Sequence, residues 1–404
     1  MFADDLNKKA QKYLMKFCEE IPGRSVGSAG NIQATDYFYK TVCSLGWKAE
    51  VQEFKAIDWK SSGAVLRSGK IEMDVKPSPY SLGCNVKAEL VSAKTVEELE
   101  RLNAEGKVIF LYGEIVKEQL APKNFVFYNP DEHKRIVELL ENSGAKAIIT
   151  ATGHNGNFAG GEYPFPFIED GDFNIPSVFI KDVEGEKIKP MIGQIVELMS
   201  DAERIPGKGC NVVAFKGTGK KKKIVLTAHI DAKKGSPGAI DNATGVIILL
   251  LLAELLNDYK NDYNMELVAL NGEDYYGVPG QMEYIKRRDG NFADTLLDIN
   301  IDGAGYYLGN SSFSLFNLPN ELYDKAQKII NSSAGISEAD PWPQGDHSIF
   351  VQYGVPAIAV SSKWLVDNMN SQQLTHTPND NPGIVDTTKL VELAIAIRQF
   401  IESI

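Results

Sequence analysis

The chain is short of cysteine, of long apolar runs and of positive charge, and each shortage removes a class of function. Its four cysteines, Cys18, Cys43, Cys84 and Cys210, are far apart and form no Cys-x-x-Cys pair. A thiolate metal ribbon is therefore disfavoured, and reduced, buried thiols of a cytosolic chain are expected. The apolar stretch Ile247 to Leu252 is far shorter than the roughly 20 residues that span a bilayer, so no membrane partner is expected. From Met1 onward no apolar leader or small-residue cleavage site follows, which predicts a cytoplasmic protein, or a secreted one if a leader has been removed. Lysine and arginine number 42 against 54 aspartate and glutamate, a net charge of -12, which argues against a nucleic-acid partner. The one basic cluster, Lys220 to Lys223, reads as a solvated hairpin or linker. There is no internal repeat and no low-complexity tract, and the subunit count stays open.

What is present is the balance of a globular protein, 43% hydrophobic and 24% charged, over 404 residues. That length suits two domains, or one large domain carrying an insertion. Leu6 to Leu45 reads as two helices around a Pro22-Gly23 turn, and Trp47 to Phe54 as a strand. From about residue 60 short β-like runs, such as Lys107 to Tyr112 and Ala145 to Thr150, alternate with polar helices, such as Asp131 to Ser143. After residue 208 the alternation becomes strongly α/β: strand Ile224 to Ala228, helix Thr244 to Leu256, strand Met265 to Leu270, helix Gly280 to Arg287, strand Leu296 to Ile301, helix Glu321 to Ser332, strand Pro356 to Val360, and a helix from Thr387 capped by Asp386. The predicted fold is α/β, a mostly parallel mixed sheet covered by helices on both faces, built from residues 1–60 and 209–404, with a smaller α/β domain, 61–208, inserted.

In such sheets ligands collect beyond the C-terminal ends of the strands. His229 and Asp231 follow the first strand of the second half, Glu273 and Asp274 the next, and Asp302 the third. Asp241 opens the helix near Thr244, and His376 lies in the late loop Leu374 to Pro378. Imidazoles and carboxylates together suit divalent ions such as zinc, whose charge offsets the repulsion between clustered acids. Asp231, two residues beyond His229, is placed to accept the other ring proton of that histidine.

Six segments carry a resemblance: Thr227-Ala228-His229-Ile230-Asp231, Gly238 to Gly245 around Asp241-Asn242, Asn271-Gly272-Glu273-Asp274-Tyr275-Tyr276-Gly277, Asn300-Ile301-Asp302-Gly303, Gly345-Asp346-His347-Ser348-Ile349-Phe350, and Thr375-His376-Thr377-Pro378-Asn379-Asp380. In this order they resemble the M28 family of zinc peptidases, the co-catalytic aminopeptidases and their carboxypeptidase relatives. The resemblance implies a zinc-dependent aminopeptidase acting on peptides with two divalent ions, zinc the expected metal. It makes His229 and Asp302 ligands of one ion, Asp274 and His376 ligands of the other, Asp241 the bridge, Glu273 the general base and Asp231 the support of His229. It also implies that residues 61–208 are a protease-associated insert. The chain departs from the family where two consecutive glutamates are usual: it has Glu273-Asp274, one methylene shorter at the ligand.

Each residue also has a plainer reading. A lone His229 could cap or pack, Asp241 could be only a helix N-cap, Asp302-Gly303 could be only a turn, and His376 only an exposed loop residue. His133 and His154 have no motif around them and read as surface or loop residues, and His347 as support rather than ligand. A carboxypeptidase or dipeptidase shares the same metal core, although no arginine lies between Arg288 and Ile397 to meet a substrate carboxylate. A noncatalytic binding protein on the same fold is the reading from a different class, and the full set of acids and histidines argues against it.

Overall fold

The computed structural model describes residues 2–21, 23–155, 160–217, 222–259 and 262–404. Lys220 and Lys221 of the basic cluster, and the centre of the glycine-rich loop after Asn155, lie outside the described residues. The chain forms two compact units, residues 57–207 and residues 1–56 with 208–404. Two long strands, β1 (Lys48–Ser68) and β7 (Ile195–Lys216), pass through the two divisions.

In the 57–207 unit, β2 (Ile71–Pro77), β3 (Cys84–Ala93), β4 (Val108–Tyr112), β5 (Ala147–Thr152) and β6 (Ser177–Lys181) lie in the order β1-β2-β6-β5-β4-β3-β7. The run β3 to β6 is parallel, while β2 and β7 pair antiparallel to their neighbours. Strands β2 and β3 are absent from the sequence reading, although Ile71 to Lys76 and Cys84 to Leu90 alternate apolar and polar residues as half-buried strands do. His133 corrects that reading too. It is buried on the Asp131–Glu141 helix, and its Nδ1 accepts the Ala121 amide at 3.0 Å, so it is a packing residue. His154 is exposed. None of the four cysteines is in a disulfide, and each is partly rather than fully buried.

The other unit carries β8 (Lys223–His229), β9 (Asn264–Leu270), β10 (Thr295–Ile301), β11 (Ser311–Phe316), β12 (Ile336–Glu338) and β13 (Ala357–Ser362) in the order β7-β9-β8-β10-β13-β11-β12. Strands β9, β8, β10 and β13 are parallel, with Leu226 opposite both Leu267 and Ile299 and Ile299 opposite Ile358. Antiparallel pairing of β7 to β9 and of β11 to β13 makes the sheet mixed. Every side chain of β9 and β13 is buried, as expected where helices cover both faces of a sheet. The Thr244–Leu255 helix is apolar on all sides and lies in the core with residues of the Phe2–Met15 and Thr387–Ser403 helices. Asp386 caps the last helix by accepting the Thr388 amide at 3.0 Å. Among the described residues no helix is long and apolar enough to cross a membrane. Because β8, β9 and β10 run the same way, His229, the Asn271–Asp274 turn and Asp302 emerge at one end of the sheet.

Candidate metal centre

Asp241 sits at the middle of this end. Its Oδ1 is 3.1 Å from His229 Nε2, and its Oδ2 is 3.1 Å from His376 Nε2. Asp302 Oδ1 lies 3.7 Å from His229 Nε2 on one side, and Asp274 Oδ1 lies 2.9 Å from His376 Nε2 on the other. One carboxylate thus faces two histidines, each flanked by a further acid. Ligand atoms of His229, Asp241 and Asp274 all lie within 4.8 Å of one another. His229 is 1% exposed, yet neither of its ring nitrogens makes a hydrogen bond, and Asp274 Oδ2 is a third such buried atom. Unpaired buried polar atoms are costly, and a shared cation satisfies nitrogen and carboxylate donors at once, so the donor set fits a divalent metal.

The charges answer one another in the same pattern. Burial opposes the charge of His229, but Asp302, Asp231 and Asp241 outweigh it and hold the imidazole well above its usual pKa. His376 is raised likewise by Asp274 and Asp241 against its own burial. Asp241 is held below the carboxylate range despite burial, by the two histidines. Glu273 is pushed well up, first by burial and then by the charges of Asp274, Asp302 and Asp346. The same carboxylates that raise the two imidazoles would favour a bound cation.

Local chemistry explains how each group is aimed. Asp241 does not cap the following helix, so the plainer N-cap reading fails: Asn242 Oδ1 accepts the Gly245 amide, at 3.0 Å, while both oxygens of Asp241 face histidines. Asn242 Nδ2 also donates to the Ile301 carbonyl at 2.8 Å, tying this segment to the strand end before Asp302. His376 is in the left-handed region at φ 64°, uncommon for a residue with a β-carbon and tolerated mainly where the surroundings enforce it. The enforcement comes from Gln372, whose Oε1 accepts the Leu374 and Thr375 amides at 2.8 and 3.1 Å.

Asp231 has a different main contact from the one read in sequence. Its Oδ1 is 3.6 Å from His229 Nδ1, too far for a hydrogen bond. Its two oxygens accept the Gly272 amide at 2.7 Å and the Asp274 amide at 3.1 Å. Asp231 therefore anchors the turn that carries Glu273 and Asp274. His347 makes no metal-directed contact. Its Nε2 lies 2.9 Å from the Trp342 carbonyl, its ring packs between Phe316 and Trp342, and burial lowers its pKa to about 4. Tyr275 is buried and packs against Tyr276 at a tilt of 40°, with ring centroids 4.4 Å apart.

Two residues outside the sequence assignments hold the centre from behind, Arg24 and Asp380. Arg24 stands beside a glycine-rich turn with no motif to mark it, and Asp380 closes the His376 segment, so its place there was the only available signal.

Gly280, on the helix Pro279–Arg287 that follows the Glu273-Asp274 turn, carries a prediction of its own. A β-carbon there would lie 2.0 Å from the Asn271 carbonyl oxygen and 2.5 Å from Asn211 Oδ1, while Asn211 itself holds both the Gly280 carbonyl and the Asn271 amide. Gly280→Ala is expected to destabilise by at least the ~1–3 kcal/mol typical of overpacking. A denaturation midpoint equal to that of the wild type would show that the backbone yields at no cost.

Residues 211–401 match the family model described as Peptidase family M28. The chain is 25% identical over 346 residues to a Mycobacterium tuberculosis protein named "Probable lipoprotein aminopeptidase LpqL", covering 82% of this chain and 63% of that one. It is 24% identical over 264 residues to "Aminopeptidase YwaD" of Bacillus subtilis, covering 60% of this chain and 53% of that one. The chain thus spans less than two thirds of the length of these two relatives. Among solved structures, an aminopeptidase from Aneurinibacillus sp. strain AM-1 superimposes with a TM-score of 0.74 at 21% identity, over 99% of this chain and 93% of that one. The Bacillus subtilis zinc aminopeptidase BSAP does so with a TM-score of 0.73 at 17% identity, over 98% and 94%. The chain has the fold of the M28-family zinc aminopeptidases, and its 211–401 segment matches that family's model.

Proposed function

We propose that this chain is a metal-dependent aminopeptidase that removes N-terminal residues from peptides. The observation that carries the reading is Asp241 with an oxygen 3.1 Å from each of two histidines, each beside a further acid. In this reading His229 and Asp302 hold one divalent ion, Asp274 and His376 a second, and Asp241 is common to both, with zinc the expected metal. The inserted 57–207 unit is read as a protease-associated module.

When bound, the ions would supply Lewis acidity, making water more acidic and offsetting the negative charge that develops on the attacked carbonyl oxygen. The remaining work belongs to the chain. Glu273 takes the proton of the attacking water at its carboxylate and later delivers it to the departing amine. Burial and the neighbouring acids raise the proton affinity of Glu273. Asp231 holds the Gly272 and Asp274 amides, which keeps Glu273 and Asp274 in register. The surplus of carboxylates around the cleft favours a substrate α-ammonium over a substrate carboxylate. Glu273 and Asp302 offer acceptors for it.

Peptides blocked at the N-terminus or amidated at the C-terminus separate the possibilities. The aminopeptidase is expected to cleave free and C-amidated peptides and to spare N-blocked ones. Removal of metal with a chelator should abolish turnover, and adding zinc should restore it. Cleavage of N-blocked peptides would instead favour the carboxypeptidase. Absence of cleavage across a broad peptide panel after loading with zinc, cobalt or manganese would favour a noncatalytic binding protein.

A further inference from the structure

Arg24 is 1% exposed, and among the described residues no carboxylate forms an ion pair with it. Its guanidinium is spent on backbone carbonyls: Nε donates to Ile230 at 2.9 Å, Nη1 to Phe17 at 2.7 Å and Pro237 at 2.9 Å, and Nη2 to Gly238 at 2.7 Å. Asp380, 0% exposed, works from the opposite side of the same segment. Its Oδ1 accepts the Ile240 amide at 2.6 Å, its Oδ2 the Asp241 amide at 3.0 Å, and its carbonyl the Ala239 amide at 3.2 Å. The carbonyls of residues 237 and 238 and the amides of residues 239 to 241 are all held by these two residues. Gly238, at φ 60°, makes the arrangement possible: a β-carbon there would lie 2.8 Å from Arg24 Nη2 and 2.5 Å from Ala232 Cβ.

A buried guanidinium bonded to carbonyls, with no carboxylate at ion-pair distance, is expensive, and a fully buried carboxylate facing two amides is nearly as demanding, although the charge of Arg24 favours the ionised form of Asp380. Both are concentrated on the five residues that end in Asp241. Arg24 also grips the carbonyl of Ile230, the residue between His229 and Asp231. The planar fork of an arginine reaches four separate acceptors here, which a lysine ammonium cannot do.

We propose that Arg24 and Asp380 are positioning residues that clamp the 237–241 segment from its two sides, so that Asp241 presents one oxygen to His229 and the other to His376. This rests on the reading of Asp241 as the shared metal ligand. The clamp sets how tightly the centre holds its ions, and it touches neither substrate nor the reacting atoms. Arg24 lies outside the 211–401 segment that carries every other residue of the centre.

The test compares the full-length wild type with Asp380→Asn and Arg24→Lys, measuring zinc stoichiometry and affinity by chelator competition, the visible spectrum after cobalt substitution, and kcat and KM separately. Asp380→Asn preserves volume and keeps one of the two side-chain acceptors. It should weaken zinc binding about 10–100-fold, the range seen when residues behind metal ligands are changed. The cobalt spectrum should shift, kcat should fall at limiting zinc and recover with excess, and KM should stay constant. Arg24→Lys should behave in the same direction although its charge is kept. Should that variant not fold, Asp380→Asn decides alone. A wild type that binds no divalent ion removes the metal-centre reading itself. A wild type that binds zinc, beside an Asp380→Asn variant with unchanged affinity and cobalt spectrum and merely a lower melting temperature, overturns the clamp and leaves the centre standing.

Discussion

Glu273→Gln is expected to leave fold and metal content intact while kcat falls by about 10²–10⁴, the usual worth of a positioned general base. In free energy this is about 2.7–5.4 kcal/mol of activation barrier. Glutamine matches glutamate in size and can still accept a hydrogen bond, but its amide does not take a proton at neutral pH. The Asp231 bonds to the Gly272 and Asp274 amides do not involve the Glu273 side chain, so the turn and the Asp274 ligand should keep their places. The approaches of Asp241 to His229 and His376, of Asp302 to His229 and of Asp274 to His376 do not involve the Glu273 side chain either. The loss should therefore appear in kcat, with zinc stoichiometry, melting temperature and KM close to wild type. Turnover within about threefold of wild type at equal metal content would remove Glu273 from the role. Loss of metal together with activity would instead assign Glu273 to ion binding.

The architecture behind these assignments was legible to different depths. The parallel strands β8, β9, β10 and β13 each carry a run or majority of Val, Ile, Leu and Ala, and β8 and β9 lead directly into the helices Thr244–Leu255 and Pro279–Arg287, so that part of the order could be read directly. Strands β11 and β12 could not. Ser311–Phe316 is half serine and Ile336–Glu338 is three residues long, and both gain their state from pairing with the sheet. At the site, residue types and their places after strand ends suggested the acids and histidines. Which oxygen meets which nitrogen depends on the turn around Asp241 and on the left-handed His376, and neither conformation leaves a mark in residue spacing. Asp231 shows the limit well. Its closeness in sequence to His229 pointed to that ring, while folding brought it two amides of a turn more than forty residues away.

Asp241→Asn is expected to have the largest effect on metal content, and its comparison with His376→Ala tests whether one carboxylate serves both halves of the centre. If Asp241 is common to two ions, losing one of its anionic oxygens weakens both positions. Loss of the His376 imidazole, by contrast, leaves His229, Asp302 and Asp241 together. Tightly bound zinc should accordingly fall from two ions per chain to none in Asp241→Asn, and to one in His376→Ala. Stability should follow occupancy, since each ion present at about 100 times its dissociation constant adds ~2.7 kcal/mol to the folded state. The thermal shift on adding zinc should be full in wild type, intermediate in His376→Ala and near zero in Asp241→Asn. The sign of the pH dependence is also fixed. His229 and His376 bind protons more tightly than an ordinary histidine, and a protonated imidazole cannot ligate a metal, so zinc must displace protons that persist above about pH 6.5. Zinc affinity of the wild type should therefore rise between about pH 6 and pH 8, with proton release measurable by calorimetry in buffers of different ionisation enthalpy. Equal loss of zinc in the two variants would mean that the ions bind only as a pair. One retained ion in Asp241→Asn would show that this carboxylate serves a single ion.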